Sequence, residues 1–302
     1  MKKTGFTLAE VLITLGIIGV VAALVLPTLI KDIKYKDYAT ARKRAWSIIG
    51  EGVRIITVNG GIADAADAQD FVENHLKKQI KMLKTCDNAN LRSCGIETET
   101  NKIKSMSETP MTMPTTLYEL ASGMSNGVTT KTDTPSYGFV MANGYSVNLF
   151  YNPNCMQDLP EANHYGQDRV CVNAIYDMNG LGRPNQVGQD IGFVTVIYPD
   201  QTSVAYAPDV VKTNATSSDF EHAAQACTNQ NPDYSLPNRD ELLAMYMNGN
   251  LLGIASGIYW SASEATPELG WWQIFRQWLP LPGPQGRYPH REVRKEISYS
   301  II

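Results

Sequence analysis

The chain has 302 residues, enough for about two domains. With 43% apolar and 19% charged residues it is an ordinary globular composition, which excludes disorder throughout. Lys and Arg number 26 against 30 Asp and Glu, and the net charge of −4 leaves no general basic surface, so no nucleic-acid partner is expected.

The first element is a membrane segment. A short basic head, Met1-Lys2-Lys3, precedes an apolar run from Val11 to Ile30 that contains no charge. Twenty helical residues at about 1.5 Å each span about 30 Å, the thickness of a bilayer core. A secretory signal would be shorter and would end at a small-residue cleavage site, whereas here Glu10 stands just ahead of the apolar run. A carboxylate at that edge is costly unless paired, which marks it as functional.

Lys2-Lys3-Thr4-Gly5-Phe6-Thr7-Leu8-Ala9-Glu10 followed by an apolar helix resembles the class III signal of type IV pilins and type II secretion pseudopilins. The resemblance implies a prepilin peptidase that cuts after Gly5 and methylates Phe6, an inner-membrane anchored precursor, and assembly with other pilin or pseudopilin subunits. It implies that Glu10 neutralises the terminal amine of a neighbouring subunit and that Pro27 lies where such helices kink. Pro27 lacks the N–H that would continue the helix ladder, which agrees with a bend there. Lys31, Lys34, Lys36, Arg42, Lys43 and Arg44 follow the span, so the positive-inside bias does not fix orientation. The leader places the body outside the cytoplasm, periplasmic or extracellular, and at a filament or cell surface after assembly. The basic stretch reads as a solvated helix face, with a docking surface as the alternative.

Helical spacing continues through Tyr38, Ala41, Ala45, Ile48, Ile49, Val53 and Ile56 until Gly60-Gly61, giving one helix from Phe6 to about Val58. Residues 105–136, rich in Ser, Thr, Met and Pro, read as a surface loop with a short helix near Leu117–Ala121. Ser136–Tyr151 alternates across Asn143-Gly144, a strong hairpin signal. Further strands are expected at Val170–Tyr176, Gly192–Tyr198 and Ser203–Ala207. A long helix followed by an antiparallel sheet is α+β, and it is also the pilin fold that the resemblance implies.

Between two expected strands lie Asp177, Asn179 and, close behind, Asp190. Hard oxygen ligands on a Gly-containing turn suit calcium, although the twelfth position of the EF-hand pattern is Gly188 where a Glu is required. Some pseudopilins, which the chain resembles, hold calcium in a comparable loop. The other reading is a turn in which Asp177 and Asn179 bond their own backbone. Five cysteines fit disulfides in an oxidising compartment. Proximity favours Cys86 with Cys94 and Cys155 with Cys171, leaving Cys227 buried or available to another chain.

Trp260, Trp271, Trp272 and Trp278 crowd into residues 260–278, a compositional shift that places a separate unit after about residue 212. Asp219–Cys227 reads as a helix, Asn238 with Glu241 as an approximate capping box, and Tyr259–Glu264, Trp271–Arg276 and Arg291–Ser298 as strands. Ala-x-x-Ala-Cys at 223–227, Leu-Pro-Asn-Arg-Asp-Glu-Leu at 236–242, Tyr-Trp-Ser-Ala-Ser-Glu at 259–264 and Val293-Arg294 resemble the C-terminal domain of a bacterial collagen-like adhesin. That domain has a C-type-lectin-like fold, which implies surface presentation and adhesion. Trp271, Trp272, Trp278, Arg287 and Tyr288 are the candidates for a glycan or protein contact, since clustered aromatics with a cation suit either ligand.

The expected organisation is a leader (1–5), a transmembrane assembly helix (6–60), a pilin-like α+β body (61–212) and a small lectin-like α+β domain (213–302). Four scattered histidines, with no HExxH, GxSxG or Walker A motif, give catalysis no support, so a non-enzyme is expected. The expected function is a minor pilin-like subunit that assembles through its helix and displays the C-terminal domain. The alternatives are a type II secretion minor pseudopilin and a membrane-anchored carbohydrate-binding protein.

Overall fold

The computed structural model describes residues 7–121, 134–153, 155, 170–197, 202–205, 211–216, 225, 228–229, 235–254, 257–266, 269–275 and 298–301. It divides into two compact units, Met1–Lys43 and Arg44–Ile302. Helix α1 (Leu8–Val58) is 51 residues long and passes through Pro27. Its start is set by Thr7, whose Oγ1 accepts the N–H of Glu10 at 3.3 Å. In return Glu10 Oε2 accepts from both the N–H and the hydroxyl of Thr7 at 2.8 Å, a reciprocal cap. Its end is set by Gly60, whose φ of 79° is the left-handed conformation that closes helices.

In the first unit, Leu8–Leu26 is long and apolar enough to cross a membrane. Leu8, Leu12, Ile17, Val21 and Leu24 are each more than half exposed, as suits a surface whose solvent is lipid or another helix.

The second unit is built on a six-stranded antiparallel sheet in the order β1-β4-β5-β6-β7-β8. Its strands are β1 (Met82–Cys86), β4 (Tyr137–Met141), β5 (Ser146–Tyr151), β6 (Val170–Asp177), β7 (Ile191–Ile197) and β8 (Thr202–Ala205). Two short strands, β2 (Ile103–Lys104) and β3 (Pro110–Met111), pair beside it, and helix α2 (Leu117–Ala121) follows them. The β4–β5 turn is the Asn143-Gly144 one, with Gly144 at φ 88°.

Every residue of β5, β6 and β7 is buried, so both faces of the sheet are covered. On one face Val147, Leu149, Tyr151, Val172, Ala174 and Val196 share a core with Ala45, Ile49, Val53 and Ile56 of α1. A short helical run from Ala68 to Lys78 completes that layer through Phe71, Val72 and Leu76. Gly52 leaves room for close packing here, since a Cβ would lie 2.8 Å from the Ile80 side chain.

The opposite face carries Phe150, Ile175, Phe193 and Ile197, covered by α3 (Arg239–Met247) and α4 (Gly249–Leu252) through Leu242, Leu243, Tyr246 and Leu251. Residues 239–252, which the sequence assigns to the C-terminal unit, thus share a hydrophobic core with the body. The remaining strands form two pairs. Antiparallel β10 (Gly257–Thr266) pairs with β11 (Leu269–Phe275), and β9 (Val211–Thr216) pairs with β12 (Ser298–Ile301). The helix expected at Asp219–Cys227 lies outside the described residues apart from Gln225, and the strand expected at Arg291–Ser298 lies outside them apart from Ser298, the first residue of β12.

Candidate functional site

The first candidate site is the N-terminal end of α1. Gly5 and Phe6 lie outside the described residues. Glu10 is the one charged residue between Leu8 and Leu26, and among the described residues its oxygens accept from Thr7. Such a carboxylate caps its own helix while the subunit is alone. It keeps lone pairs that accept a cationic donor without breaking the cap. Thr7 is a residue that the sequence reading passed over, and the Thr-x-x-Glu spacing was its signal. Pro27 lies in the interior of α1, one residue beyond the apolar stretch that ends at Leu26.

The second candidate is the loop between β6 and β7. Asp177 is buried, and its Oδ1 accepts the N–H of Asn179 at 3.0 Å. Its Oδ2 is buried without a hydrogen-bond partner. Burial, reinforced by the negative charge of Asp190 and opposed by backbone N–H groups of Asn179 and Gly180, pushes its carboxyl up to about 8.

Asp190 is fully buried and already committed. Its two oxygens accept the N–H groups of Asn185 and Gln186, each at 2.8 Å. The side-chain amide of Asn179 donates to the carbonyl of Arg183 at 3.1 Å. Among the described residues no three His, Cys, Asp or Glu side chains are grouped to hold a metal. Asp177 Oδ2 is thus the one loop carboxylate oxygen without a partner, while Asn179 and Asp190 bond the backbone of the turn.

The cysteines are paired as Cys86–Cys94 and Cys155–Cys171, with Cα separations of 6.1 and 5.0 Å. Cys86 and Cys94 belong to the core of the α3 face, and Cys155 and Cys171 to the core of the α1 face. Cys227 lies outside the described residues.

The C-terminal aromatic candidates are placed only in part. Residues 271 and 272 are consecutive in β11, and residue 272 is the register partner of Trp260 in β10. Trp278, Arg287 and Tyr288 lie outside the described residues.

Residues 1–26 match the family model of the prokaryotic N-terminal methylation motif. No curated protein and no solved structure matches the chain. The motif, together with an apolar N-terminal helix and an antiparallel sheet in an α+β body, fits a type IV pilin or pseudopilin-like subunit. It implies a membrane-anchored precursor, processing by prepilin peptidase and assembly with other pilin subunits.

Proposed function

We propose that the chain is a minor subunit of a type IV pilus-like filament that enters the filament through α1 and carries its body and C-terminal segment outward for adhesion. The observation that carries this reading is the methylation motif over residues 1–26, joined without interruption to a helix whose apolar side chains are exposed. An exposed apolar helix is stable in a membrane and again in a bundle of like helices, and Glu10 supplies the polar contact that sets the register of that bundle.

The low-abundance position is supported by bulk. The unit from Arg44 to Ile302 is large for a subunit repeated along a shaft. Display is supported by the aromatic-rich C-terminal stretch and its likeness to an adhesin domain. The chain is read as a structural and binding protein rather than an enzyme.

The test is electron microscopy of cells with gold-tagged antibody to the C-terminal segment, for the native chain and for Glu10→Ala. Label at filament ends outside the cell, lost from filaments but kept in the membrane by the variant, is the expected result. Label reached only after the envelope is opened would replace the pilus by a secretion pseudopilus. Filament label unchanged in the variant would overturn assembly through α1.

A further inference from the structure

The methionines of the body are unevenly placed. Of the eleven in the chain, Met113, Met245 and Met247 are buried in the core of the α3 face, and Met106 and Met111 pack, partly buried, against that same cluster. Met111 is in β3 and Met106 in the turn that joins β2 to it, and these two-residue strands pair through Ile103 with Met111 and Lys104 with Pro110. At one end Lys104 anchors the pair to the β6–β7 loop, donating to the carbonyl of Asn185 and accepting from the N–H of Val187, each at 2.9 Å. At the other end the N–H of Met106 donates to the carbonyl of Leu251 in α4 at 2.9 Å, a clasp between the turn and the helix. Strands this short hold themselves poorly, so the clasp depends on how the two thioethers pack.

We propose that Met106 and Met111 are sites of sulfoxidation by hydroperoxides, and that their oxidation frees β2–β3 from α4 and loosens the α3–α4 cover of the sheet. A sulfur lone pair attacks one oxygen of hydrogen peroxide, the O–O bond breaks, and a proton shift leaves a sulfoxide and one water. Sulfur is oxidised by two electrons and the peroxide is reduced by two. A thioether is a soft apolar group that suits an aliphatic core, whereas its sulfoxide carries a strong dipole and an acceptor oxygen. The N–H groups at the end of α4 are already used, that of Leu252 on Asn248, of Gly253 on Asn250 and of Ile254 on Gly249. The sulfoxide oxygen is therefore better served by water than by the cluster, and the side chain turns outward. Met113, Met245 and Met247 are more fully buried and are reached only after the clasp opens, which gives the oxidation an order. The inference concerns the body alone and does not rest on the filament reading.

The full chain in detergent micelles is exposed to hydrogen peroxide, and sulfoxide is counted at each methionine by peptide mass spectrometry. Met106 and Met111 should oxidise roughly tenfold or more faster than Met113, Met245 and Met247. With both oxidised, amide hydrogen exchange over residues 239–252 should rise roughly tenfold, while exchange over β5 stays as it was. Methionine sulfoxide reductases should restore the slow exchange. Met106→Leu with Met111→Leu conserves volume, and this variant should keep slow exchange over 239–252 in peroxide although Met82 and Met178, partly buried on the α1 face, still oxidise. Equal rates at the partly buried and the buried methionines of the native chain overturn the proposal, a result that needs no variant. Unchanged exchange over 239–252 once both residues are oxidised, or an equal rise in the double variant, overturns it as well.

Discussion

Asp177 is an acid whose surroundings favour its neutral form. Its folded carboxyl is pushed up to about 8 from an ordinary value of 3.8, so between these limits the folded chain holds a proton that the unfolded chain releases. Stability from this group is therefore complete below about pH 4 and declines as pH rises towards 8, by on the order of a few kcal/mol. The melting temperature should fall across that window in the native chain. It should fall less in Asp177→Asn, which keeps the shape and the hydrogen bond from Asn179 without a charge. Added calcium should not raise the melting temperature of either form. A calcium-dependent rise confined to the native chain would show that the unpartnered oxygen takes a cation in place of the proton.

At the scale of elements, α3 and α4 are held to the sheet by more than apolar burial. Asn248, at the junction of the two helices, accepts from Asn173 Nδ2 at 3.0 Å. Its Nδ2, with two hydrogens, lies within hydrogen-bond distance of three acceptors: Asn173 Oδ1 at 3.0 Å, Thr195 Oγ1 at 3.1 Å and the carbonyl of Ala244 at 2.9 Å. All three side chains are buried. Asn248→Ala should leave Asn173 and Thr195 short of partners and cost about 2–4 kcal/mol in denaturant unfolding. A loss under 1 kcal/mol would mean that water replaces the amide. This network was not legible in the sequence, because an Asn in the middle of β6 and a Thr in β7 carry no mark of a partner 75 and 53 residues away, respectively. The hairpin was legible because Asn143-Gly144 is a local signal with alternation on both sides. The start of α3 was legible for the same reason: Asn238 accepts the N–H of Glu241, and the Glu241 carboxylate accepts that of Asn238. Strand β1 was missed because its register shifts between Met82 and Lys84, which breaks the alternation and leaves Leu83 exposed. The loop acids were recognisable as a cluster, but their hydrogen bonds, which decide between a turn and a ligand set, depend on the backbone path of 185–190.

For the whole molecule, the two disulfides divide the work of stabilising a three-layer body. Each apolar layer of the sheet contains one of them: Cys86–Cys94 on the α3 face and Cys155–Cys171 on the α1 face. Closing loops with sequence separations of 8 and 16 removes disorder from the unfolded chain worth about 3 kcal/mol in each case. Neither bridge belongs to the first unit, which relies on lipid or neighbouring helices for burial instead. Reduction should therefore lower the unfolding free energy of the body by about 6 kcal/mol, a large share of the 5–15 kcal/mol typical of a domain, and leave membrane anchoring intact. The Cys86→Ala/Cys94→Ala and Cys155→Ala/Cys171→Ala variants should each lose about half of that amount, measured by denaturant unfolding in the presence and absence of reductant. Because each bridge sits in a different layer, the two losses should add. A combined loss well below the sum would mean that the layers unfold as one core and that either bridge alone is enough to hold the body closed.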